Sequence, residues 1–169
     1  MNSIDRRDKM IKSLINSNKP IKGTEFAKEY NVTRQIIVKD IAILRAQGNN
    51  IIATSEGYIY GKDDNRIKFI IAVTHNSNQL EDEMNIIIKY GGIIEDVIVE
   101  HPLYGEIRGM LMIKNLNELQ KFIDKYKTNS IKPLSLLTDG FHIHTISVDT
   151  EENMNAIIEE LKIKGFIIE

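Results

Sequence analysis

The residues with the most pointed chemistry are His142-Ile143-His144. Two imidazoles two positions apart on a β-strand share one face, with Phe141, Ile143 and Thr145 on the other. At strand spacing they stand about 7 Å apart, close enough to share one metal ion. A third imidazole is His75, at the end of an apolar strand-like run, and a carboxylate is Glu83, one turn into the helix that follows. Glu81 and Asp82 point to other faces of that helix. Together His75, Glu83, His142 and His144 make a three-histidine, one-carboxylate set. Nitrogen and oxygen ligands without sulfur suit zinc, nickel, iron(II) or manganese, and the ligand types do not rank them. The competing reading of the same residues is a pair of core histidines hydrogen-bonded to the backbone, with His75 and Glu83 unrelated to them.

A second constellation lies near the amino terminus. Thr33-Arg34-Gln35 opens a helical run whose core spacing is Ile37, Ile41 and Leu44. Arginine can pair with guanine and glutamine with adenine, each through two hydrogen bonds in the major groove. Lys39, Lys22 and Thr24 are placed for phosphate oxygens, Thr24 as the cap of a short helix. The alternative is a small helical domain serving protein contacts.

The elements that must carry these residues divide in two. Residues 1–62 contain 11 Lys and Arg against 6 Asp and Glu, whereas 63–169 contain 11 against 18. A basic part joined to an acidic part is the pattern of a polyanion-binding module attached to something else. The join falls at Gly61-Lys62-Asp63-Asp64-Asn65, and the expected domains are 1–61 and 66–169. In the first, helices over Arg6–Ser17, from Thr24 and from Thr33 precede a hairpin of Ile51–Thr54 and Tyr58–Tyr60, which is the order of a winged helix-turn-helix. The second reads as α+β. Strands are expected at 66–73, 93–100, 107–113 and 141–148, with a closing strand at 166–168. Between them lie helices capped by Asn78, Asn115 and Thr150, the second with a stripe of Leu116, Leu119, Ile123 and Tyr126. The strand order is not readable.

The 169 residues contain no cysteine. Disulfides, thiolate zinc fingers, iron–sulfur clusters and cysteine nucleophiles are therefore excluded. Apolar runs such as Ile70-Ile71-Ala72-Val73 fall far short of the about 20 residues a membrane helix needs. Residues 1–20 hold no apolar signal-peptide core, so a cytoplasmic location without membrane contact is expected.

The whole chain resembles the niacin-responsive transcriptional repressor family of Gram-positive bacteria and Thermotogales, which pairs a winged helix with a three-histidine (3H) domain. The stretches that carry the likeness are Thr33–Gly48, His75 with Leu80–Met84, Tyr90-Gly91-Gly92, His101–Glu106 and Leu134–Thr145. The resemblance implies a non-enzymatic repressor of NAD-biosynthesis or niacin-transport genes, with nicotinic acid as corepressor. It also implies a divalent metal on His75, Glu83, His142 and His144. Operator symmetry leads one to expect a homodimer. His101 either contacts ligand or braces the turn that Pro102 and Gly105 make, Tyr104 is a candidate to stack on a pyridine ring, and Arg108 to pair with a carboxylate. The alternatives are a regulator for which the metal itself is the signal, and a metallohydrolase using metal-activated water.

Overall fold

Asn2 caps α1 (Ser3–Asn16) by accepting the Asp5 main-chain N–H at 2.8 Å. The structure, a computed structural model, describes residues 1–168. α1 turns Met10 and Leu14 inward against Phe26 of α2 (Gly23–Glu29) and Ile37, Ile41 and Leu44 of α3 (Arg34–Ala46). Asn31 takes a left-handed conformation (φ 53°) between α2 and α3, and Thr33 caps α3 by accepting from the Ile36 N–H. A hairpin of β1 (Ile51–Thr54) and β2 (Gly57–Tyr60) follows, with Ile51 closing the small core. Ile21 adds a further extended residue by exchanging main-chain hydrogen bonds with Tyr58. That contact requires Gly57, whose φ is 137° and where a Cβ would lie 2.5 Å from the Ile21 carbonyl oxygen. It also corrects one expectation. Because Ile21 is held extended against β2, α2 opens at Gly23 with Lys22 before it, so Thr24 lies inside the first turn and does not cap it.

The chain divides into two compact units, the first Met1–Asp64 and the second from Asn65 onward. In the second, β3 (Ile67–Thr74), β4 (Ile93–His101), β5 (Gly105–Ile113) and β6 (Phe141–Val148) form one antiparallel sheet in the order β3-β6-β4-β5. Residues Met84, Ile87 and Ile88 of α4 (Leu80–Lys89), Leu119 and Ile123 of α5 (Leu116–Thr128), and Ile157 and Leu161 of α6 (Glu151–Ile163) share a core with Ile71, Val73, Ile146 and Val148 of the sheet. In the register of β3 and β6, Ile71 stands opposite His144 and Val73 opposite His142. Both histidines thus belong to the helix-covered face.

Three details differ from the sequence reading. Asn76, not Asn78, makes the capping box, with Gln79 as its partner, because a 3₁₀ turn over Ser77–Gln79 precedes α4. Leu116 is 63% exposed, since the inward stripe of α5 begins one turn later at Leu119. The expected closing strand is a single bridge between Ile167 and Val73 at the free edge of β3, where the chain turns off after Gly165 (φ 74°).

Candidate metal centre and nucleic-acid face

Glu83 is 1% exposed and all three buried imidazoles aim at its carboxylate. Oε2 lies 2.5 Å from Nε2 of His75 and 3.2 Å from Nε2 of His142, while Oε1 lies 3.2 Å from Nε2 of His144. Ligand atoms of His75, Glu83 and His142 all fall within 4.8 Å of one another. The His75–His142 and His142–His144 rings meet edge to face at 4.9 Å between centroids. Each side chain arrives by a local device. Strand alternation puts His142 and His144 on one face, β3 delivers His75 one residue past its end, and the first turn of α4 turns Glu83 under the sheet while Glu81 pairs with Lys127 and Asp82 faces solvent.

The outer nitrogen of every ring is engaged. Nδ1 of His75 donates to the Asn76 carbonyl at 2.8 Å, Nδ1 of His142 to Gly140 at 2.9 Å, and Nδ1 of His144 to Asp96 at 2.5 Å. A carbonyl only accepts, so the proton sits on Nδ1 and a neutral ring presents its Nε2 lone pair inward. Three such lone pairs around a carboxylate are all acceptors, and Glu83 Oε1 has no donor partner. Protons or a cation would satisfy that arrangement. A histidine ligand whose other nitrogen is held by a carbonyl is the usual support of a metal site, so the residues fit a divalent ion. In the ion's absence, protons take its place. Burial pulls His75 and His144 down, but the Glu83 carboxylate outweighs it and leaves both raised from the ordinary 6.5. Burial pushes Glu83 up, and the three imidazoles reverse this and hold it well below the usual carboxylate range.

Two residues that support the cluster escaped the sequence reading. Gly140 (φ 93°) carries the carbonyl for His142, and a Cβ there would lie 2.4 Å from the His75 carbonyl oxygen. Asp96, also 1% exposed, carries the carbonyl for His144. Its signal was a carboxylate at a buried alternation position between Ile94 and Ile98.

The remaining candidates lie elsewhere. Nδ1 of His101 accepts from the main-chain N–H groups of Leu103 and Tyr104, so His101 braces the β4–β5 turn. Tyr104, its ring tilted against that of His101, is 72% exposed. Arg108 is paired with Asp96 at 3.0 Å. In the first unit Thr33, Arg34, Gln35 and Lys39 are exposed on the first turns of α3, and Lys22 and Thr24 are exposed at the start of α2. Behind them Asp40, at a core position of α3, is buried and binds Arg6 of α1 at 2.7 Å and Arg7 at 3.3 Å. The charged partner in that stripe was a further feature the sequence reading left unused.

A helix-turn-helix with a β-hairpin wing, carried in one chain with an α+β unit that buries three histidines on a glutamate, defines a two-unit protein whose first unit has the build of a DNA-reading module. Comparison with known proteins narrows the class. Residues 68–169 match the 3H domain family and residues 6–59 match an HTH domain. The chain belongs to the 3H domain family, and its HTH domain makes DNA a partner. It is similar to the probable transcription repressor NiaR of Thermotoga maritima, with 41% identity over 165 residues, 98% of this chain and 94% of that protein. It is also similar to the transcription repressor NadR of Bacillus subtilis, with 36% identity over 168 residues, 97% of this chain and 93% of that protein. An uncharacterized protein of Methanothermus fervidus shares 27% identity over 158 residues, 84% of this chain but 25% of that protein. Among the described residues no helix is long and apolar enough to cross a membrane.

Proposed function

We propose that this chain is a metal-dependent transcription repressor of NAD-biosynthesis or niacin-uptake genes, with nicotinic acid as corepressor bound at or beside the histidine–glutamate centre. Likeness to two transcription repressors over nearly the whole chain supports the regulatory part. The observation that carries the sensory part is the convergence of three Nε2 atoms on one buried carboxylate. His75, Glu83, His142 and His144 would hold the ion, zinc or nickel ahead of iron or manganese, and the ion would supply positive charge for a small anion in a unit that is otherwise net acidic.

Residues 1–61 then serve as the DNA-binding domain and 66–169 as the metal- and ligand-binding domain, in a cytoplasmic homodimer. Two α3 helices in such a dimer would enter successive major grooves about 34 Å apart. Thr33, Arg34 and Gln35 would lie nearest the base edges, and Lys39, Lys22 and Thr24 would hold the backbone. The corepressor acts only through its difference in affinity between the operator-competent arrangement and the rest.

Fluorescence anisotropy on labelled promoter DNA tests this. Tight binding is expected with zinc or nickel plus nicotinic acid, and loss of the nicotinic acid response is expected in EDTA and in His142→Ala. A nicotinic acid response that survives in His142→Ala refutes the coupling. Binding that follows metal alone, indifferent to nicotinic acid, would instead establish the reading in which the ion is the signal.

A further inference from the structure

We propose that Asp96 is the positioning residue for the His144 ring, acting through a break it makes in the β4–β6 ladder, with Arg108 as its anchor. This rests on the reading of the cluster as a metal site.

The three outer-ring acceptors differ in origin. Asn76 follows His75 directly and Gly140 precedes His142 by two residues, so each of these carbonyls travels with the segment that carries its ring. The partner of His144 comes from another strand, 48 residues away. It is a carbonyl of β4, a strand whose carbonyls ordinarily face their neighbours within the sheet. It is free for an imidazole because the pairing of β4 is irregular here. The register of β4 with β6 shifts between Ile94 and Ile98, and that with β5 shifts between Ile94 and Asp96.

Asp96 sits at that irregularity and fills the gap it leaves. Its Oδ1 accepts the main-chain N–H of Thr145 at 2.8 Å, where a regular ladder would offer a carbonyl. Side chain and main chain thus divide the work, the carboxylate on Thr145 and the carbonyl on the neighbouring ring of His144. The second carboxylate oxygen, Oδ2, accepts from Arg108 on β5 at 3.0 Å. Buried as it is, the carboxylate needs that partner. Arg108 is half exposed and reaches no other described ligand residue, so its connection to the centre runs through Asp96.

The test uses the full-length protein, stripped of metal and titrated with zinc against a chromophoric chelator, with cobalt(II) absorption as the report on ligand geometry. Loss of a partner that orients a histidine ligand weakens metal binding by about 10–100-fold, and that is the expectation for Asp96→Ala, together with an altered cobalt spectrum. Asp96→Asn keeps an oxygen to accept from Thr145 and is expected to restore the wild-type spectrum. Arg108→Met leaves Asp96 in place and is expected to show the same spectral change in weaker form, which preserves the test should Asp96→Ala not fold. A purely structural role would lower the melting temperature in EDTA while leaving the cobalt spectrum of the folded variants unchanged, and that result overturns the proposal. So does an Asp96→Asn spectrum as altered as that of Asp96→Ala. Wild-type protein that binds neither ion removes the metal reading and this proposal with it, whereas wild-type affinity in folded Asp96→Ala removes this proposal alone.

Discussion

Replacing Glu83 by glutamine should reverse its effect on stability depending on whether metal is present. In the metal-free chain, at a pH high enough for the cluster to have lost its extra protons, neutral rings keep their protons on Nδ1, toward Asn76, Gly140 and Asp96, and face the carboxylate with lone pairs. Glutamine is the same size and brings an amide with two N–H donors to that centre. Relieving a buried polar group that lacks a donor is worth about 1–3 kcal/mol, so in EDTA Glu83→Gln is expected to equal or exceed the wild type by up to that amount. With zinc at about 1,000 times its dissociation constant the wild type gains about 4 kcal/mol, and the variant, having lost the anionic ligand, gains little. At about 4–8 °C per kcal/mol for a unit of this size, the zinc shift of the wild type is about 15 °C or more. Thermal unfolding of the second unit, followed by far-UV circular dichroism in EDTA and in zinc, measures all four states. The reasoning fails if Glu83→Gln is the less stable protein in EDTA and moves with zinc as far as the wild type does.

The metal-free and metal-bound forms should also respond oppositely to pH. His75 and His144 are raised above their ordinary 6.5, so their contribution to metal-free stability is complete below pH 6.5 and is lost as pH rises through the folded values. Glu83 is held below its ordinary 4.5, so its contribution is complete above pH 4.5 and is lost as pH falls through the folded value. The cluster therefore favours the metal-free fold most between pH 4.5 and 6.5, whereas zinc competes with protons and stabilises more as pH rises. Melting curves from pH 5 to 8 with and without zinc should diverge, and parallel curves would contradict this. At the DNA face, Arg34→Ala should lower discrimination between operator and mismatched sites by about 1–3 kcal/mol. Lys39→Ala should instead weaken all sequences alike and reduce the salt slope by about 1, and competition binding at several salt concentrations separates the two outcomes. Asp40→Ala leaves Arg6 buried without its partner and should destabilise the first unit by about 3–5 kcal/mol in urea unfolding; no change would mean the pair is idle.

The parts of this fold that the sequence made legible are those where pattern is local. Alternation along Phe141–Val148 placed both histidines on the inward face, and the helical stripes of α1, α3 and α4 identified most of the core. Asn115, Thr150 and Thr33 cap their helices as their types suggest. What stayed hidden depends on long-range pairing. The insertion of β6 between β3 and β4 pairs Thr74 with Phe141, 67 residues on, and Ile67 with Val148, 81 residues on, and is possible only after the intervening hairpin and helices have been laid aside. Asn76 displaced Asn78 as a cap because a 3₁₀ turn, which has no periodic signature over three residues, precedes α4. Asp40 and Asp96 each occupy a core position whose acceptability rests on an arginine far away in sequence, Arg6 or Arg108, so their type alone argued for the surface. At the candidate site, the four converging groups were legible as types and spacings, and the acceptors behind the rings were not, because they are main-chain atoms.

That last point shapes how a saturation mutagenesis map of the second unit would look. Every amino acid has a carbonyl, so substituting Asn76 cannot delete the acceptor it offers His75. Intolerance should concentrate at His75, Glu83, His142 and His144, and at the few places where backbone course rather than side-chain chemistry is at stake. Gly140 is the sharpest of these, since even alanine would collide with the His75 carbonyl. Such a map would show a centre that looks sparsely defended, with silent neighbours around it whose silence reflects an acceptor common to all twenty residues.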